Sequence, residues 1–247
     1  MVFLGREREL AQLAEAVRRV AEGRLGRVVL TGPAGIGCTR LLDELSERIS
    51  SVPGVTACRG RAYEPAQLTP YQSVSDALAT TIEQVPDGDL PGVVGAAGHD
   101  LCVLVPRLAA RLDQLGIDRQ PPELIAPDQL GRRVLESILG TLQRLAGDGV
   151  VLLVLEDVHF ADPATRGLIA ALHRVGRELP VCLVITYQPD EVHRRHPMRE
   201  LADQLVRDPE VQRLELGPLE PAEIEQLVAD ELGERPAASV RTAVAEG

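Results

Sequence analysis

The chain has no lysine and no tryptophan, and aromatic residues make up only 2% of it. All 26 basic residues are therefore arginines, and no ammonium side chain is available to hold a phosphate as a mobile point charge. With so few aromatic rings the core must be built from Leu, Val, Ile and Ala, which suits buried parallel strands under leucine-rich helices. The same scarcity argues against a stacking platform for single-stranded nucleic acid. Positive charge is in deficit: the formal net charge is −11, whereas a nucleic-acid-binding module of this size carries a basic face. No direct nucleic-acid contact is expected from this region. Cysteine is sparse and scattered, at Cys38, Cys58, Cys102 and Cys182; no CxxC pair suggests a metal site, and the pattern fits a reducing cytoplasm. Long apolar runs are missing too. The longest, Val150 to Leu155, is far too short to span a bilayer, and the opening MVFLGREREL lacks the apolar stretch of a signal peptide.

What is present is alternation. Glu7–Val20 has helical spacing at Leu10, Leu13, Ala14, Val17 and Val20. Strands are expected at Arg27–Thr31, Val55–Arg59, Val150–Leu155, Val181–Tyr187 and Val211–Leu216. Between them the spacing predicts helices over Thr39–Ile49, Tyr71–Val85, Leu101–Leu115 (with a break near Pro106), Asp128–Leu145 and Pro163–Val175, and Arg195–Val206 reads as mostly helix after Pro197. In the long helix Leu130, Val134, Leu135, Ile138, Leu142 and Leu145 are expected to face inward. Pro86–Gly98 and Gly116–Pro127 read as loops. This is the order of an α/β domain, a three-layer sandwich around a parallel sheet of about five strands. After Gly217 only short helices are expected, at Glu220–Leu232 and Ala237–Glu246, so residues 1–217 form one domain and 218–247 begin a second, helical one.

The segment GRVVLTGPAGIGCTRLLDEL meets the pattern GxxxxGK[ST] at every specified place but one. Gly32, Pro33, Ala34, Gly35, Ile36, Gly37, Cys38, Thr39 and Arg40 would wrap backbone N–H groups around an anion at a helix N-terminus, and Thr39 would place its hydroxyl on Mg²⁺. Cys38 stands where the lysine belongs. That lysine sits against the β- and γ-phosphates and balances charge during transfer. Losing such a donor removes about 2–4 kcal/mol of transition-state stabilisation, or about two to three orders of magnitude in rate. Weak or absent hydrolysis with residual nucleotide binding is the expected outcome. A thiol at a helix N-terminus also tends towards a lowered pKa, although a neutral residue filling the loop is the simpler expectation.

The second element of the site is the end of VVLLVLEDVHFAD, where Glu156 and Asp157 follow a fully apolar strand. In a phosphate-loop protein the first acid meets Mg²⁺ and the next polarises the attacking water. This requires the strand to be central. Asp162, just before Pro163, reads as a helix cap, and His159 as a packing or capping residue. Arg194, Arg195, His196 and Arg199 read as a solvated helix start.

Taken together these motifs resemble the N-terminal ATPase domain of large LuxR-type transcriptional regulators, within the STAND class of AAA+-related NTPases. LGREREL is similar to the family's adenine-side segment, which implies that Leu4, Gly5 and Arg6 lie near the base. GPAGIGCT corresponds to a loop usually written GPAGIGKT, and LEDVHFAD to LEDLHWAD. VCLVITYQPDE resembles a strand that usually ends in TYR, and RLELGPLEPAEIEQLV the start of a helical lid. The family arginine after the Thr-Tyr pair, a γ-phosphate sensor, is Gln188 here. In the family the final AEG leads into a segment NPF and further helices, so the resemblance implies a lid that continues past the last residue. It also implies a longer protein with helical repeats and a C-terminal helix-turn-helix.

Three readings follow: a switch domain that binds ATP or ADP with Mg²⁺, a pseudo-ATPase that serves as a structural or protein-interaction module, or an ATPase completed by an arginine from a partner. The expected partners are the other domains of the same regulator or a second copy of the chain.

Overall fold

The computed structural model describes residues 3–64, 69–118, 127–175 and 178–232. Five strands, β1 (Arg27–Thr31), β2 (Val55–Arg61), β3 (Val150–Glu156), β4 (Val181–Tyr187) and β5 (Gln212–Glu215), form one sheet in the order β2-β3-β4-β1-β5. Every ladder is parallel. The helices are α1 (Glu7–Ala21), α2 (Cys38–Ser50), α3 (Gln72–Gln84), α4 (Leu90–Val94), α5 (Gly98–Leu104), α6 (Pro106–Gln114), α7 (Pro127–Ala146), α8 (Pro163–Val175), α9 (Arg199–Arg207) and α10 (Pro221–Leu232).

Successive side chains of a strand point to opposite faces, and the core divides along that alternation. Val150, Leu152 and Val154 of β3 pack with Val28, Leu30, Val184 and Leu214 against Leu10, Leu13 and Val17 of α1 and Leu41, Leu42 and Leu45 of α2. Val151, Leu153 and Leu155 face the other way, with Val29, Leu183 and Ile185. They meet Leu78 of α3, Ile138 and Leu142 of α7 and Leu168 and Leu172 of α8. The sheet is thus buried on both faces, as the unbroken apolar run of β3 requires.

The helices depart from the sequence reading in instructive places. Residues 86–98 are not a loop throughout: α4 and a 3₁₀ turn at Gly95–Ala97 occupy part of the segment. Leu90 and Val94 are buried, and the Arg144 side chain donates to the carbonyls of Val93 and Val94 at 2.7 and 3.1 Å. Proline near a helix start is compatible with helix, so Pro91 terminates nothing. The expected Leu101–Leu115 helix is two, parted at Val105, whose φ of −123° and ψ of 80° reflect the restriction a following proline imposes. In α1 it is Ala16, not Ala14, that faces the core, and in α7 Leu130 is exposed. The helix expected at 237–246 and residues 119–126 of the second loop lie outside the described residues.

Candidate functional site

The chain leaves β1 at Thr31, turns through residues 32–37 and enters α2 at Cys38. Gly35 and Gly37 have φ of +79° and +104°, a left-handed backbone that a side chain would strain. Within the loop the Ile36 N–H donates to the Pro33 carbonyl at 3.3 Å, and the first-turn N–H groups of α2 lack intrahelical partners. Pro33, Ala34, Gly35, Ile36, Gly37, Cys38, Thr39 and Arg40 line one side of a cleft of about 380 Å³. Its other walls are Asp43, Arg61, Asp157, Thr186, Tyr187 and Gln188, so the ends of β2, β3 and β4 converge on the phosphate loop. The cleft volume lies within the usual range for small-molecule sites.

β3 is an interior strand, flanked by β2 and β4. Its terminal residue Glu156 is only 4% exposed and receives a hydrogen bond from the Thr39 hydroxyl at 3.0 Å. The second carboxylate oxygen takes the Arg59 Nε at 2.6 Å, and the same guanidinium reaches Asp43 at 2.5 Å and the Thr39 carbonyl at 3.4 Å. Burial opposes the charge on Arg59, but the hydrogen bonds and charges of Glu156 and Asp43 outweigh it and raise its pKa. Asp157 adopts a left-handed backbone (φ 53°). Its N–H donates to Thr186 Oγ1 at 2.9 Å, and its side chain pairs with Arg61 Nε at 2.7 Å.

The donor set fits a divalent cation of the Mg²⁺ type. Thr39 and Glu156 present two hard oxygens side by side, and Mg²⁺ is normally held by one or two protein oxygens, with phosphates and water completing its shell. Glu156 offers one oxygen to that shell, because Arg59 holds the other.

Cys38 does not behave as a helix N-terminus alone would dictate. Its thiol pKa is pushed up to about 11, by burial first and then by the negative charge of Asp157, against a smaller opposing effect of Arg6. The side chain is a neutral filler, and the lowered pKa expected from helix position is overridden by desolvation and the neighbouring acids.

Leu4, Gly5 and Arg6 do not line the cleft. Arg6 is buried and donates to the Gly217 carbonyl at 2.5 Å, while the Glu223 carboxylate of α10 lies over Gly5, where a Cβ would meet its Cδ at 2.5 Å. Gly5 thus lies against α10 and Arg6 against the segment that precedes it, and Arg6 is near enough to act on the Cys38 thiol. Asp162 caps α8 as expected, accepting the N–H groups of Ala164 and Thr165 at 2.9 and 3.0 Å, and it also accepts the Tyr71 N–H at 3.1 Å. His159 is buried against Phe160, with ring centroids 4.1 Å apart and neither ring nitrogen hydrogen-bonded among the described residues. Burial lowers its pKa, so the ring is held neutral. Arg194, Arg195, His196 and Arg199 border a separate, open groove along α9, away from the phosphate loop.

The sequence reading missed Arg59 and Arg61. The signal was present, since arginines at alternate positions of a strand share a face, but that β2 pairs with β3 was not legible from the sequence.

Among curated proteins, an uncharacterized protein of Rhizobium meliloti (strain 1021) is 24% identical over 204 residues, covering 76% of this chain and 18% of the relative. Among solved structures, one of Drosophila ORC bound to DNA aligns with a TM-score of 0.53 at 14% identity, over 94% of this chain and 47% of that one. This second likeness is one of fold. The chain spans less than half the length of either relative. A family model described as the AAA ATPase domain matches residues 2–185, a span that holds the phosphate loop, the acid-tipped β3 and most of β4. By that match, and with loop and acids brought together as the chemistry needs, this chain belongs to the AAA ATPase domain family.

Proposed function

We propose that this chain is the nucleotide-binding module of a longer cytoplasmic transcriptional regulator of the LuxR-type, STAND-like kind, in which bound ADP or ATP sets a conformational state and hydrolysis is slow or absent. The observation that carries the reading is the 3.0 Å hydrogen bond from Thr39, which lines the cleft with the phosphate loop, to Glu156. A hydroxyl from the helix start and a carboxylate from the strand end, placed together, are the protein's share of a cation–phosphate site. Mg²⁺ bound there with the nucleotide would neutralise phosphate charge. The chain's own part is to cradle phosphates with the loop amides, to hold Glu156 in place through Arg59, and to keep a neutral thiol where an ammonium would stand.

Slow turnover is supported by two positions. Cys38 brings no charge to the phosphates, and Gln188, which lines the cleft at the end of β4, offers an amide where a guanidinium would bond more strongly. The sheet domain, residues 1–217, would pack against a lid opened by residues 218–247. The contact of Glu223 with Gly5 is where α10 already meets it. The partners would be the regulator's other domains or a second copy.

Isothermal titration of the chain with ADP and with ATP, with Mg²⁺ and with EDTA, tests the reading. Micromolar to millimolar binding that tightens at least tenfold in a Cys38→Lys variant is the expected result. No binding by either protein would overturn it, and turnover at the rate of an ordinary ATPase, ~1–10³ s⁻¹, would overturn the proposed loss of hydrolysis.

A further inference from the structure

We propose that Arg61 provides the cationic contact to nucleotide phosphates that Cys38 does not, an inference that rests on the nucleotide reading above. Arg61 is the last residue of β2, paired in register with Glu156 of β3, so it emerges at the same end of the sheet as the two acids. It lines the cleft together with the phosphate loop. It is 47% exposed, and its one hydrogen bond among the described residues is from Nε to Asp157. A guanidinium has five N–H donors in a fixed fork, and the two terminal nitrogens of Arg61 carry four of them.

The neighbouring arginines are otherwise engaged. Arg59, two residues earlier on the same face of β2, is only 24% exposed and is divided among Glu156, Asp43 and the Thr39 carbonyl. Arg6 is held by Gly217 and Glu9. Asp157 takes Arg61 by Nε, so the outer edge of the guanidinium is left to a ligand. Planar guanidinium pairs with phosphate through two parallel hydrogen bonds, a geometry an ammonium does not share. In a chain without lysine, fixed positive charge at the cleft must come from arginine, and Arg61 brings it from the end of β2 as Arg40 does from the first turn of α2.

Arg61 also neutralises Asp157, and simple masking of that carboxylate would help phosphate binding without any contact. A double-variant comparison separates the two roles. The experiment measures ADP affinity by isothermal titration for the wild type, Arg61→Gln, Asp157→Asn, the combined variant and Cys38→Lys, with thermal melts on each. Direct contact predicts a loss of tenfold or more, relative to the wild type, in both Arg61→Gln and the combined variant. If the combined variant recovers wild-type affinity, Arg61 only masks Asp157 and the proposal is overturned; an unchanged Arg61→Gln overturns it as well. Where Arg61→Gln melts below the wild type, the combined variant, which removes both members of the pair, carries the comparison. Binding by Cys38→Lys but not by the wild type would leave the phosphate cradle standing and reject the role of Arg61, whereas binding by neither rejects both.

Discussion

Thr39 and Glu156 are 117 residues apart in the chain and 3.0 Å apart in space. The hydroxyl comes from the first turn of α2 and the carboxylate from the end of β3, and β4 lies between β3 and the strand that feeds the phosphate loop. The side chains reach across that gap because both strands end at the same level of a parallel sheet.

Glu156→Gln is expected to abolish the gain in ADP affinity that Mg²⁺ brings, while leaving affinity in EDTA within about threefold of the wild type (~0.6 kcal/mol). A carboxamide keeps the shape and the hydrogen bond to Thr39 but gives a cation no charge. The variant also leaves Arg59 with Asp43 as its one carboxylate partner. Losing half of a largely buried network should lower stability by about 1–3 kcal/mol. Titrations in Mg²⁺ and in EDTA, with a urea melt, measure both effects.

The Cys38 thiol should react slowly. With its pKa pushed up to about 11 from 9.0, the thiolate fraction at pH 8 falls about a hundredfold. The higher intrinsic nucleophilicity of a more basic thiolate recovers part of that, leaving alkylation roughly ten- to a hundredfold slower than for an ordinary exposed thiol. The sign follows from a raised pKa: the protonated form persists through neutral pH, and reactivity rises about tenfold per pH unit up to about pH 11 instead of levelling off near 9. Peptide mapping after timed iodoacetamide treatment between pH 7 and 10 checks this. Fast labelling of Cys38 at pH 7 would show that the acids and burial do not control it.

The all-parallel α/β architecture was legible because β3 is an unbroken apolar run and because each strand is followed by helix-spaced leucines. The phosphate loop and Glu156 were legible as a motif and an acidic strand end. What the sequence hid is lateral order. Nothing local in RGRAYE states that β2 lies beside β3, so the pairing of Arg59 with Glu156 and of Arg61 with Asp157 came only from the fold. Residues 86–98 misled for a different reason: Gly and Pro density is a loop signal, and it was outweighed by burial of Leu90 and Val94. For Cys38, helix position alone points to a lowered pKa, and burial raises it instead, in line with the neutral loop-filling residue that was the simpler expectation.

Asp162→Ala is expected to destabilise by about 2–4 kcal/mol, more than the ~1 kcal/mol of an ordinary cap. Its carboxylate accepts the first-turn amides of α8, the Thr165 hydroxyl and the amide of Tyr71, and it is only 6% exposed. Removing it leaves several buried donors without a partner. Asp162→Asn, which retains an acceptor oxygen, should recover part of the loss. Chemical denaturation of the three proteins decides the matter, and an alanine variant within 0.5 kcal/mol of the wild type (about twofold) would contradict it.

The split of the core between the two faces of the sheet has a bearing on how damage accumulates. Leu13 lies wholly on one side and Leu142 wholly on the other, with a layer of backbone between them that neither side chain crosses. Truncating either to alanine should cost about 2–5 kcal/mol, and truncating both should cost the sum to within about 0.5 kcal/mol, since neither void can relax into the other. Injury to one half of such a molecule is not forgiven, nor amplified, by the other.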